Sequence, residues 1–133
     1  MSSVEAEWLW AGGAKFGATR GKSAVVIDSD GAAGPSPMQA VAMALAGCMA
    51  IDVGYHSGEG APPVEGLRVS LSGERATQPP KRLLRLALAF HVSGDVPGAA
   101  VERAIALSRD TYCSVWHSLR QDIELIAQFD IRP

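Results

Sequence analysis

The chain has 133 residues, 47% of them hydrophobic and 20% charged, with a formal net charge of -2. That length sets a single domain, residues 1–133, as the expectation, with enough apolar material for an ordinary core. Nine Arg and three Lys are dispersed along the chain, so charge gives no reason to expect nucleic acid or an anionic membrane as a partner.

The segment Met1-Ser2-Ser3-Val4-Glu5-Ala6-Glu7 is acidic and lacks the basic stretch and apolar run of an export signal. The longest largely apolar run, Met38 to Val53, carries Asp52 at its end and falls short of the ~20 residues that span a bilayer. The expected location is therefore a reducing, cytoplasmic one. There, two cysteines serve catalysis or redox sensing more often than they staple a fold.

Taken in chain order, Trp8-Leu9-Trp10 opens a strand that ends at Gly12-Gly13. Thr19-Arg20-Gly21-Lys22 makes a hairpin turn into the β-branched strand Ala24 to Asp28, and Ser29 to Pro35 is a loop of turn residues. Ser36 then suits an N-cap, Pro37 the first helical position and Gln39 the capping box. The helix that follows is apolar on nearly every side and should be buried, ending between Gly54 and Gly58. Leu67, Val69 and Leu71 alternate with Arg68, Ser70 and Ser72, and Leu84, Leu86, Leu88 and Phe90 alternate with Arg85, Ala87, Ala89 and His91. These are two half-buried strands pairing as a hairpin across Gln78-Pro79-Pro80-Lys81. Pro97 starts a second helix with Val101, Ala104, Ile105 and Ser108 at helical spacing, and Asp122 to Phe129 is a last strand. Segregated elements of this kind give an α+β fold.

Cys48 and Cys113, 65 residues apart, are the candidate functional residues. Cys48 shares a helix face with Val41, Ala44, Leu45, Ile51, Asp52 and Tyr55. It reads either as a small buried hydrophobe or as a working thiol, and in the second case the neighbouring carboxylate of Asp52 opposes ionisation, so an offsetting cation is required. Cys113 sits where Ser114 can cap a short helix, so the helix dipole would favour its thiolate. His117, four residues on, is either within its reach or a surface residue. Zinc is not expected, because His56, His91, His117 and the cysteines lack C-x₂₋₄-C and H-x₃₋₅-H spacings. A Ser-His-Asp hydrolase is not expected either, for want of G-x-S-x-G.

The segment Ser36-Pro37-Met38-Gln39 through Ala46-Gly47-Cys48 to Ala50-Ile51-Asp52-Val53 resembles the first cysteine motif of the OsmC/Ohr family, and Tyr112-Cys113-Ser114-Val115 resembles the second. The likeness covers nearly the whole chain and is strongest to the YhfA-like branch. It implies antiparallel sheets around a long, central cysteine-bearing helix in an intertwined homodimer, with active sites at the subunit interface. It also implies reduction of organic hydroperoxides by Cys48, with Cys113 as resolving thiol, in defence against oxidative stress. No bound cofactor is implied, only an external dithiol or lipoyl-type reductant. Arg20, the lone arginine of the N-terminal hairpin, would take the place of the family's thiolate-stabilising arginine. Two departures stand out: Met38-Gln39 supplies no glutamate to hold that arginine, and Ser114 stands where many members have proline. The alternative is an OsmC-like dimer without peroxidase activity that binds a small apolar ligand at its interface.

Overall fold

A computed structural model of the chain describes residues 2–9, as backbone, together with residues 28–30, 32, 34–58 and 64–133. The expected strand Ala24 to Asp28, the turn with Arg20 and the stretch from Trp10 to Gly13 lie outside these residues, apart from Asp28, which is not in a strand.

Four described strands form one sheet in the order β1-β2-β3-β4: β1 (Ser2–Leu9), β2 (Gly66–Arg75), β3 (Leu83–Ser93) and β4 (Glu124–Arg132). β1 pairs antiparallel with β2, and β2 antiparallel with β3. β4 runs parallel to β3, so the sheet is mixed rather than antiparallel throughout. The parallel pair follows from the connection: α2 (Gly98–Leu107), a π-helical turn (Ser108–Tyr112) and α3 (Ser114–His117) carry the chain back to start β4 alongside the start of β3, and a parallel pairing needs such a crossover.

The expected hairpin forms, with Lys81 N donating to Gln78 O at 2.8 Å in its turn. Its register departs at one point. A shift between Glu74 and Arg75 leaves Arg75 opposite Leu83 and Glu74 opposite Arg85, so Leu84 is an extra residue. Leu83 takes the buried position while Leu84 is half-buried, as a bulge requires.

Helix α1 (Pro37–Ser57) starts as its sequence dictates. Ser36 Oγ accepts from Gln39 N at 3.1 Å, and Ser36 N donates to Gln39 Oε1 at 3.0 Å, completing the capping box. At 21 residues, and with a mean hydropathy of 1.4 over an 18-residue window, α1 is long and apolar enough by composition to cross a bilayer. It ends at Ser57, within the expected bounds Gly54 to Gly58. It lies on the sheet, burying Ala42, Leu45, Ala46, Met49, Ala50, Val53 and Ser57. These positions form one stripe at helical spacing. Burial on all sides does not occur: Met43, Gly47, Cys48 and Ile51 are half-covered, and Ala44 and Tyr55 are exposed.

The stripe meets the inward residues Leu67, Val69 and Leu71 of β2 and Leu86, Leu88, Phe90 and Val92 of β3. Val101 and Ile105 of α2 extend the same core, with Phe129 and Ile131 of β4 packed against it. Each large side chain fully removed from water contributes roughly 1.5–3 kcal/mol. The opposite face of the sheet is polar: Arg85 lies 3.7 Å from Glu74 and 4.0 Å from Glu124 across neighbouring strands.

Candidate functional site

Cys48, Asp52 and His56 stand at four-residue intervals on α1 and so share one flank of it. The chain after α2 is brought against that flank because Val101, Ala104 and Ile105 bury one side of α2. The helix then widens into the π-turn, an element that recurs at functional sites. Ser108, fully buried, donates to Asp52 Oδ2 at 2.7 Å. Tyr112 stacks on His56, with ring centroids 4.9 Å apart and planes 18° apart. Arg109 reaches the other way and donates through Nη2 to Leu125 O at 3.0 Å, tying the turn to β4.

These ties deliver Cys113 to α1. Its thiol is fully buried and lies close enough to that of Cys48 for the two to interact, while Cys48 itself is half-covered. Two thiols distant in sequence are therefore neighbours, and both are free.

The electrostatics of Cys113 differ from the sequence expectation. Burial pushes the thiol up to about 12, and the neighbouring Cys48 and Asp52 add to the rise; the hydrogen bond from the backbone of Trp116, 3.3 Å from Sγ, acts in the opposite sense. Cys113 itself, rather than Ser114, caps α3. A four-residue helix offers little dipole, and the cost of charging a buried sulfur exceeds it. At neutral pH Cys113 is a protonated thiol. His117 gives it no help: its side chain is exposed and makes no hydrogen bond among the described residues.

Arg20 lies outside the described residues. Gln39 is occupied by the capping box. Asp52, which shares the helix face of Cys48 in the sequence, acts on Cys113 and is held by Ser108. That last pairing spans 56 positions and no local pattern announces it, although Ser108 already stands out as a polar residue at an apolar spacing. The flank opens to the surface at Tyr55 and Tyr112, which are 71% and 52% exposed. Among the described residues no group of three or more His, Cys, Asp or Glu could hold a metal ion.

Comparison with known proteins identifies the family to which this fold belongs. The OsmC-like protein family model matches residues 29–127, which include both cysteines, Asp52 and Ser108. Protein YhfA of Escherichia coli strain K12 is 34% identical over 131 residues, covering 96% of this chain and 98% of YhfA. An OsmC-like protein from Mycoplasma pneumoniae has the same fold at 17% identity and a TM-score of 0.64, over 81% of this chain and 80% of that one. So has a protein from Legionella pneumophila described as an organic hydroperoxide resistance protein OsmC and predicted redox protein, at 13% identity and a TM-score of 0.60 over 98% and 97% of the two chains. By family match, near-full-length identity and shared fold, this chain belongs to the OsmC-like protein family.

Proposed function

We propose that the protein reduces organic hydroperoxides through Cys48 and Cys113. The observation that carries this reading is the proximity of the two free thiols, one half-covered and one buried. In the first step the Cys48 thiolate attacks the outer peroxide oxygen, the O–O bond breaks, and an alcohol leaves with one added proton. Cys48 becomes a sulfenic acid. In the second, the Cys113 sulfur attacks that sulfenic sulfur and loses its proton, water leaves, and a disulfide joins the pair. An external dithiol of lipoyl type then returns both to thiols by exchange. The division of labour follows from the electrostatics: a thiol held near 12 is a poor first nucleophile, and a buried neighbour of the sulfenic acid suits resolution. The Legionella protein's description supports hydroperoxides as the substrate class.

The same reading includes a homodimer, working in a reducing cytoplasm, whose subunits cover each other's α1. Its support is the incompletely covered side of that helix, where Met43, Gly47 and Ile51 are half-covered and Ala44 and Tyr55 exposed. Arg20, or an arginine from the partner, supplies the cation beside Cys48. A monomeric mass in light scattering at micromolar concentration would remove the dimer from the account.

Two observations favour a second reading, a dimer that holds a small apolar ligand with inert cysteines. The side chain at the helix start, Gln39, serves the capping box, and Cys113 resists ionisation. Consumption of cumene hydroperoxide with dihydrolipoamide as reductant separates the two. Peroxide loss that vanishes in Cys48→Ser supports the peroxidase, whereas no loss in the wild type, or the same loss in the variant, leaves the binding module.

A further inference from the structure

On the polar face of the sheet, away from the cysteines, three neighbouring strands bring together Ser70 of β2, His91 of β3 and Asp130 of β4. His91 and Asp130 are paired in register, and Ser70 stands two residues beyond Arg68, the register partner of His91. The Asp130 carboxylate lies 2.7 Å from His91 Nδ1. A carboxylate can only accept, so Nδ1 carries the proton, and in the neutral ring Nε2 is left as the acceptor. Ser70 Oγ lies 3.2 Å from Nε2, and to the neutral ring it is the donor. The order hydroxyl, imidazole, carboxylate is that of a general-base relay for a serine nucleophile.

Two further features mark a site. A depression of about 290 Å³ opens at His91 and Asp130, next to Ser70, lined among others by Gly66, Arg68 and Arg132. Two of these are guanidinium groups. Arg68 Nη1 lies 3.5 Å from Ser70 Oγ, so a fixed positive charge stands beside the nucleophile, where it would also attract the negative charge that develops on a substrate's carbonyl oxygen. His91 has 27% of its side chain exposed and Asp130 53%, so a small molecule can reach the relay.

We infer that Ser70, His91 and Asp130 form a second site, distinct from the thiol pair, at which Ser70 is acylated by small activated esters. In the first half the Ser70 oxygen bonds to the ester carbonyl carbon and its proton passes to His91 Nε2. The C–O bond to the leaving group breaks, and the departing alkoxide or phenolate takes up that proton. In the second half water attacks the acyl-serine by the same relay, releasing the carboxylic acid and restoring Ser70. No electron transfer is involved and water is the only co-reactant. Asp130 is a positioning residue: it fixes the imidazole tautomer and touches no substrate. The sequence gives no sign of the site, because its members lie on separate strands and no nucleophile-elbow motif surrounds Ser70.

The experiment uses the full chain carrying Cys48→Ser and Cys113→Ser, so that thiol acylation does not contribute, with p-nitrophenyl acetate as probe. Release of p-nitrophenolate is expected to fall by about 100-fold in both Ser70→Ala and His91→Ala. In Asp130→Asn the rate should fall and its pH profile change, because an amide can donate to the ring and so select the other tautomer. In parallel, the unaltered protein is treated with a fluorophosphonate probe and digested for mass spectrometry, which requires no variant to fold. An adduct on Ser70 supports the inference. An adduct only elsewhere, no adduct at all, or phenolate release unchanged in Ser70→Ala overturns it.

Discussion

Ser108 holds the Asp52 carboxylate with a 2.7 Å hydrogen bond, and through it the segment bearing Cys113 is fastened to the helix bearing Cys48. Removing that hydroxyl leaves Asp52 with one fewer donor in a half-buried setting. A hydrogen bond to a charged group contributes roughly 1.5–3 kcal/mol, and loss of the buried partner costs in the same range. Ser108→Ala is expected to lower stability by about 2 kcal/mol, read as a shift of the urea midpoint, and to slow formation of the Cys48–Cys113 disulfide more than it slows oxidation of Cys48. Equal slowing of both steps would show that the bond does not position Cys113.

The raised Cys113 thiol makes a statement about alkaline stability. Between the ordinary value of 9.0 and about 12, the unfolded chain has released this proton while the native one keeps it. The unfolded state binds fewer protons there, so native stability falls as pH rises. The stabilising contribution is complete below pH 9.0 and is lost by about 12. Its steepest slope is about 1.4 kcal/mol per pH unit. Reduced wild-type protein should therefore lose stability across this window faster than Cys113→Ala, measured by denaturant titration at several pH values. Parallel profiles would contradict the burial of a neutral thiol.

The helix start offers an independent test of the fold. Ser36 accepts from Gln39 N, so Ser36→Ala should cost about 1 kcal/mol, while Gln39→Glu should retain the box. If Gln39→Glu also raised peroxide turnover, the side chain at this position would be acting on the chemistry as well as on the cap.

Phe90 is fully buried on β3, facing the stripe of α1. Phe90→Ala should cost about 3–5 kcal/mol, seen as a large fall in the thermal midpoint. A small effect would mean that α1 does not lie on this face of the sheet.

The parts legible in the sequence are those encoded locally. The capping residues Ser36, Pro37 and Gln39 mark where α1 begins, and alternation marks the inward residues Leu67, Val69, Leu71, Leu86, Leu88 and Phe90. The motifs around Cys48 and Cys113 point to the family. The parallel pairing of β4 is not legible, since residues 124–132 carry the same alternation whichever way the strand runs. Nor is the bulge at Leu84, which depends on the register of the partner strand. The helix dipole expected to ionise Cys113 is a local argument outweighed by a tertiary one, the burial of its sulfur. Apolarity on every side of α1 reads as complete burial, yet the fold covers one stripe and leaves Tyr55 in the open. The relay of Ser70, His91 and Asp130 is set by the pairing of three strands and leaves no trace in spacing.

Reaction of Cys48 with peroxide and its resolution by Cys113 can be read from one experiment, in which the reduced protein is treated with one equivalent of cumene hydroperoxide and its peptides are mapped by mass spectrometry. The expected result is a disulfide between the Cys48 and Cys113 peptides in the wild type, and a dimedone-trapped sulfenic acid on Cys48 in Cys113→Ser. A sulfenic acid on Cys113 in Cys48→Ser at the wild-type rate, or thiols left unchanged after peroxide, would contradict it.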